Sequence, residues 1–259
     1  MLNVKNLYKS FADQTIINGV TFSLHDGDIA GLVGPSGVGK SVLLKLLAKV
    51  IEPDSGEIEH TAEVIKQKAD NMISQAAEQY SVGFLFQESA LFDSMSVLDN
   101  TVFPLVSSKD GNKKISISEA QDRAYKMLAE VGLARAINKL PGELSGGMRR
   151  RAGIARALVN LPELVLLDDP TGGLDPVAAS VIMDLIDKLH DMYNPTIVIV
   201  SHDIRRLLPH VSRVLGLFQG KISCDLAPEK LVEEAPDYVL KFLATRYDFG
   251  KVSNVEVSE

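Results

Sequence analysis

Eight residues near the start of the chain, Gly34-Pro35-Ser36-Gly37-Val38-Gly39-Lys40-Ser41, restrict its fold more than any other stretch. They follow the apolar run Ile29-Ala30-Gly31-Leu32-Val33 and precede Val42-Leu43-Leu44-Lys45-Leu46-Leu47, so the local order is strand, glycine loop, helix. The spacing is that of a Walker A phosphate loop, G-x-x-x-x-G-K-[ST]. Glycines let successive backbone N–H groups converge on phosphate oxygens, and a helix starting near Gly39 aims the positive end of its dipole at them. Lys40 is expected to neutralise the β- and γ-phosphates, and the Ser41 hydroxyl to ligate magnesium. The alternative is a glycine-rich turn that merely links strand to helix; all eight positions in register, with the right flanks, weigh against it.

A second motif is Leu164-Val165-Leu166-Leu167-Asp168-Asp169, an apolar strand ending in two carboxylates. In a phosphate-loop fold the strand beside the loop delivers its last carboxylate toward magnesium, which is the place of Asp168. Asp169 is then placed to orient or deprotonate the attacking water. An Asp-Asp pair alone is weak, since acidic strand ends are often solvated loop starts. Joined to the phosphate loop, it becomes strong.

In chain order, short strands are expected around Leu2–Val4 and Gly19–Leu24, with Phe11 in the connection between them. There an aromatic ring can stack on a nucleotide base, although a lone aromatic is more often core. Turn chemistry at Pro53-Asp54-Ser55-Gly56-Glu57 leads into a strand near Ile58, and residues 61–79 carry helical spacing. Val82–Phe86 reads as a buried strand ending at Gln87. From Glu88 to about Leu161 the pattern is helical, with Ser116 and Glu119 spaced as a capping box and a stop at Gly132. Thr196–Val200 is a further strand, a helix-length segment from Val177 to His190 precedes it, and the tail holds a short strand after Gly220 and a helix from Tyr238 to Leu243. Strands alternating with helices imply a parallel, doubly wound core, here interrupted by an inserted helical subdomain.

Composition excludes more than it selects. A net charge of -7 with no long basic block argues against a nucleic-acid partner, and the cluster Arg149-Arg150-Arg151 lies inside another motif. A single cysteine, Cys224, excludes an internal disulfide framework and suits a reducing compartment. No apolar run approaches a membrane span, and the N-terminus lacks a signal peptide's basic region and apolar core. The chain is therefore expected to be soluble and cytoplasmic, peripheral on a membrane only through a partner.

The third motif is Leu144-Ser145-Gly146-Gly147-Met148, followed by Arg149 and the helical run Ala152 to Leu158. A serine and two glycines at a helix N-terminus make a second anion site. At this point the chain resembles an ATP-binding cassette ATPase, the nucleotide-binding subunit of an ABC transporter, over about residues 2–225. The residues that carry the resemblance are the phosphate loop, the signature at 144–148, Gln87 in the Q-loop position, Gly173-Leu174-Asp175 in the D-loop and His202 in the switch position. It implies an α/β fold: a P-loop NTPase core with a mostly parallel sheet, an N-terminal antiparallel β subdomain and an inserted helical signature subdomain at about 88–161. Residues 226–259 would be a C-terminal extension that braces a dimer.

The resemblance also implies a head-to-tail homodimer around two Mg-ATP molecules, each held by the Walker A loop of one subunit and by Ser145, Gly146 and Gly147 of the other, with Asp175 beside them. Gln87 would sense the γ-phosphate and magnesium, and Ser41, Gln87 and Asp168 would form the metal set. His202 would contact the γ-phosphate and help Asp169 fix the water; the bland alternative is an ordinary histidine after a strand. Phe11 would stack on adenine. Within the superfamily, Phe86 to Asn100 and the Met148 ending of the signature resemble ATPases of Mla/Mce-type lipid transporters, which implies integral permease subunits and an MCE-domain lipid-binding protein as partners. A polar-solute importer ATPase and a weakly hydrolysing regulatory module are the alternatives. Two features depart from the family: Asp169 stands where Glu is usual, and Ala76-Ala77-Glu78-Gln79-Tyr80 replaces an arginine-rich approach to the Q-loop strand.

Overall fold

The opening strand shows a slip in its alternation. β1 (Leu2–Phe11) buries Leu2 and Val4 and then Leu7, a step of three where a strand steps by two. Its pairing with β2 (Gln14–Leu24) runs antiparallel from Leu2↔Leu24 to Val4↔Phe22 and resumes at Leu7↔Val20, one residue out of step. The extra residue is a bulge, and the register shifts again between Leu7 and Tyr8 and between Lys9 and Ser10. Inside the bulge Asn6 takes φ 47, and its amide donates to Thr21 Oγ1 at 2.9 Å.

Residues 1–60, 81–107 and 115–245 of this computed structural model are described. They fall in two compact units, Met1–Thr61 with Ile199–Glu259, and Ala62–Val198. The first continues with β3 (Ile29–Val33), α1 (Lys40–Leu47) and β4 (Ser55–His60), the last pairing antiparallel with β1 to give the order β2-β1-β4. Gly56, at φ 96, lies over the bulge: a Cβ there would sit 2.3 Å from the Asn6 carbonyl oxygen.

Among the described residues of the second unit, β5 (Val82–Leu85) is the first strand, and the helices α2 (Val97–Val106), α3 (Ile117–Glu130) and α4 (Gly146–Leu158) follow. A serine opens each, its hydroxyl accepting the amide three residues on: Ser96 from Asp99 (3.1 Å), Ser116 from Glu119 (3.1 Å) and Ser145 from Met148 (3.3 Å). The chain then enters β6 (Leu164–Asp168), parallel to β5 from Val82↔Leu164 to Leu85↔Leu167 and buried at every residue. A strand covered on both faces has no polar side to show, which is why it reads as an unbroken apolar run. α5 (Pro176–Tyr193) starts on the Asp175 cap with proline in its first turn and ends at Asn194 in the left-handed region. β7 (Thr196–Val200) follows, its first amide donating to the Glu163 carbonyl at 2.9 Å.

The first unit then resumes with α6 (Ile204–Leu207) and β8 (Arg213–Phe218), parallel to β3 from Ala30↔Arg213 to Val33↔Gly216. β9 (Lys221–Leu226) turns back antiparallel through Gln219 and Gly220, both at positive φ. After α7 (Leu231–Glu234), α8 (Asp237–Ala244) docks on Phe218, whose ring meets Tyr238 and Phe242 edge-on at 5.4 Å each.

The α/β fold with its antiparallel N-terminal sheet is as expected, with four differences in detail. The first two strands run far beyond Leu2–Val4 and Gly19–Leu24, because each satisfies the other's backbone along its length. Phe11 is consequently the last residue of β1, paired with Gln14, and not part of the connection. β8 has no counterpart in the sequence reading. Residues 88–96 are turns, and helix begins only at Val97. The helix expected over 61–79, the segment Ala76 to Tyr80 and the tail beyond residue 245 lie outside the described residues.

Candidate functional site

In the first unit β3 runs into the glycine loop and α1 leaves it. Gly39 is the helix N-cap, and no side chain caps the first turn. Its φ of 110 suits glycine, and a Cβ would sit 2.8 Å from Ile16 Cγ2, so both backbone and space demand the residue. Lys40, 5% exposed, folds back over the loop, its Nζ donating to the Gly34 and Pro35 carbonyls at 2.8 Å each. An ammonium buried at an uncapped helix N-terminus is a strong anion site. Ser36 and Gly37 are exposed, while Pro35, Val38 and Ser41 are half-buried.

Phe11 is 48% exposed, with Lys9 Nζ 5.5 Å from its ring centroid. Asp54 holds both Lys9 (2.8 Å) and the Ser10 amide (2.6 Å), contacts that draw its carboxyl below the usual range. The ring is thus presented to solvent on an anchored strand end. His202 is exposed in a turn that Ser201 fixes, its Oγ accepting the Asp203 amide at 3.0 Å.

In the second unit Asp168 ends β6 at 6% exposure, and Asp169 follows at 9% and φ 51. The Gly172 amide donates to the Asp169 carbonyl at 3.1 Å. A Cβ on Gly172 would lie 2.2 Å from Asp169 Oδ2, so the carboxylate rests directly on that glycine. Gln87, Gly146, Arg149, Arg150, Asp169 and Gly172 line one cleft of about 500 Å³. A neighbouring cleft of about 440 Å³ is lined by Ser145, Gly146, Gly147, Gly173 and Asp175. The Asp175 carboxylate caps α5, accepting the Val177 and Ala178 amides at 3.0 Å each.

Three further residues shape this unit without a motif to mark them in the sequence. Arg150, 7% exposed, donates to the carbonyls of Gln87 and of Gly172 (3.0 Å). Asn100 is fully buried and ties down the turns before α2: it accepts the Phe92 amide at 2.8 Å and donates to the carbonyls of Phe92 (3.1 Å), Met95 (3.0 Å) and Ser96 (3.0 Å). Arg156 donates to the carbonyls of Ser89 and Ala90 at 2.7 Å each, with its guanidinium 6.0 Å from the Phe92 ring. It stands in a mainly apolar groove of about 460 Å³ with Phe84, Phe86, Phe92, Phe103 and Pro104. The one available signal was spacing: on a helix, residues 149, 150 and 151 cannot all face solvent together.

A family profile described as ABC transporter matches residues 17–172. Among curated proteins, the chain is 36% identical over 238 residues to Protein TRIGALACTOSYLDIACYLGLYCEROL 3, chloroplastic, of Arabidopsis thaliana, covering 86% of this chain and 67% of that protein. It is 42% identical over 207 residues to the probable ribonucleotide transport ATP-binding protein mkl of Mycobacterium tuberculosis, covering 78% of this chain and 55% of that one, so it spans little more than half of that relative. With the lipoprotein-releasing system ATP-binding protein LolD of Legionella pneumophila it shares 37% identity over 226 residues, 86% of this chain and 96% of that one. Of solved structures, the dimeric post-hydrolysis state of the ATP-binding cassette MJ0796 bound to ADP and Pi matches with a TM-score of 0.72 at 29% identity, over 88% of this chain and 99% of that one. The cbiO1 subunit from Clostridium perfringens, part of the transporter complex cbiONQ, matches with a TM-score of 0.73 at 26% identity, over 98% of both chains.

Proposed function

We propose that this chain, which belongs to the ABC transporter family of ATP-binding cassettes, is the ATPase subunit of a lipid transporter that closes as a head-to-tail homodimer on two Mg-ATP molecules to drive a separate permease. ATP binding and hydrolysis are the family's activity, and this chain is an ABC-type ATPase.

Lys40, the amides of Gly37 and Gly39, and the uncapped start of α1 bind the triphosphate, where the ammonium offsets charge that builds on the phosphoryl oxygens. Phe11 offers its exposed face to the adenine. Asp169 orients the attacking water and takes its proton, with His202 and Gln87 completing the arrangement. Ser145 and Gly147 serve the nucleotide of the partner subunit. Among the described residues no cluster of three or more His, Cys, Asp or Glu side chains suits a metal ion. Magnesium needs no such cluster, since it is usually bound through one or two carboxylates plus substrate phosphates and keeps several waters. Asp168, Ser41 and Gln87 supply hard oxygen donors for it, and the ion would neutralise phosphate charge.

Residues 1–225 form the ATPase domain with the helical subdomain 88–161 inserted, and 226–259 an extension that braces the dimer. No helix among the described residues is long and apolar enough to cross a membrane. In this reading the permease is another chain, and the Phe84–Phe103 groove with the adjacent turns is its docking face. Lipid cargo is the reading that the name of the Arabidopsis relative favours, and the Legionella relative is named for the release of lipoprotein; delivery through an MCE-domain protein is part of this proposal. Transport of a polar solute is the second reading, favoured by the name of the mycobacterial relative.

The observation that carries the enzymatic part is the end of β6, an apolar strand that delivers two buried carboxylates in succession. Purification of the complex from membranes, with steady-state phosphate release and extraction of bound lipid, tests the whole. Release stimulated by the permease and a co-purifying lipid are expected; a complex that responds only to a water-soluble solute would overturn the lipid reading.

A further inference from the structure

Three consecutive arginines, 149 to 151, lie in the first two turns of α4, and because a helix advances about 100° per residue they point three ways. Arg149 donates to the Leu144 carbonyl just ahead of α4 at 2.6 Å, and Arg151 to the Val131 carbonyl at the end of α3 at 3.1 Å, so each serves one segment. Arg150 is different. It is buried, and its hydrogen bonds reach two separate loops: one nitrogen donates to Phe86 (3.5 Å) and Gln87, the other to Gly172 (3.0 Å). Every acceptor is a backbone carbonyl. Burial disfavours the guanidinium charge, and the carboxylates of Asp169, Asp168 and Glu88 oppose that cost.

Asp169 takes φ 51, a left-handed backbone that aspartate enters more readily than most residues, so what fixes its place is whatever holds the turn around it. Its surroundings are Gly172, which carries the Asp169 carbonyl on its amide and the carboxylate against its α-carbon. Whatever fixes Gly172 therefore fixes Asp169. We propose that Arg150 is a positioning residue that joins the Gln87 loop and the Gly172 turn into one piece, so that Asp169 keeps its place for the attacking water. The inference rests on the reading of Asp169 as the base. An arginine suits the task because its planar fork serves two acceptors in fixed directions, whereas a lysine ammonium is a point donor on a flexible stem.

The test compares the purified full-length wild-type chain, Arg150→Lys, Arg150→Gln, Asp169→Asn and the double variant Arg150→Lys/Asp169→Asn, reading kcat and KM for Mg-ATP by phosphate release. Arg150→Lys keeps the charge but cannot span both loops, so kcat falls on the order of 10- to 100-fold while KM stays within about threefold. Arg150→Gln is at least as slow; if it fails to fold, Arg150→Lys carries the test alone. Residues that act through one another are not additive, so the double variant is no slower than Asp169→Asn. A wild-type kcat for Arg150→Lys beside an inactive Asp169→Asn overturns this proposal alone, as do multiplying losses in the double variant or a KM that rises in step with the fall in kcat. A wild-type rate from Asp169→Asn overturns the base assignment and this proposal with it.

Discussion

Asp169→Asn is the substitution whose outcome follows most directly from local geometry. Asparagine is among the residues most tolerant of the left-handed region, so a φ of 51 costs it no more than aspartate, and its amide fills the same space against Gly172. The fold and ATP binding should survive while the capacity to accept a proton is lost. General-base catalysis contributes about 10²–10⁴-fold, so kcat should fall at least about 100-fold, or about 2.7 kcal/mol, with KM for ATP held and an ATP-bound dimer accumulating. Asp169→Glu makes the complementary perturbation. It moves the carboxylate outward by one carbon–carbon bond, about 1.5 Å, where a displacement near 1 Å is worth on the order of 100-fold. Against that, glutamate lacks aspartate's ease at positive φ, a strain of order 1 kcal/mol. The expected signature is turnover equal to or above wild type with a melting temperature a few degrees lower. Phosphate release under saturating Mg-ATP, with light scattering for the dimer, reads both. Wild-type turnover by Asp169→Asn would refute the reasoning and leave His202 and Gln87 to position the water.

Ser145→Arg should leave ATP binding by the monomer intact while blocking dimer closure and hydrolysis; loss of monomer affinity in a nucleotide-binding titration would place the signature in cis. Asp93 is exposed in the turns beside the Phe92 groove, and Asp93→Lys should weaken recruitment to permease-containing membranes several-fold more than it lowers basal turnover, with equal damage to both counting against the docking face. Asn100→Ala removes the buried side chain that accepts the Phe92 amide and shares its two N–H donors among the Phe92, Met95 and Ser96 carbonyls, which should cost about 2–4 kcal/mol in denaturant melts. A loss under about 0.5 kcal/mol would mean that those turns hold themselves.

The elements that local chemistry dictates were readable from the chain: the glycine loop into α1, the apolar β6 with its paired carboxylates, and the serine caps of α3 and α4. What escaped depends on partners far away in sequence. β8 is a six-residue run with Gly216 in its middle, and it becomes a strand because β3, some 180 residues earlier, offers it a parallel ladder. Its turn into β9 is Gln219-Gly220 rather than the Asn-Gly or Asp-Gly pair that marks a hairpin in sequence. Nothing in the neighbourhood of Phe11 announces that β1 and β2 extend to within two residues of each other. The capping box at Ser116 forms on one side only, since the Glu119 carboxylate finds Arg123 one turn on at 2.6 Å. Arg150 was hidden by composition: three consecutive arginines read as one solvated patch, and only the helix phase separates the buried one from its neighbours.

Phosphate release by the purified chain, wild type against Lys40→Ala under saturating Mg-ATP, bears most directly on the claim that this is a transport ATPase working from the Gly34–Ser41 loop. Lys40 is buried over the loop on the Gly34 and Pro35 carbonyls, and alanine leaves no cation there to meet the β- and γ-phosphates. The account predicts steady release from the wild-type chain and a loss of at least about 100-fold, together with productive ATP binding, in the variant. Equal release and equal affinity in the two proteins would contradict it.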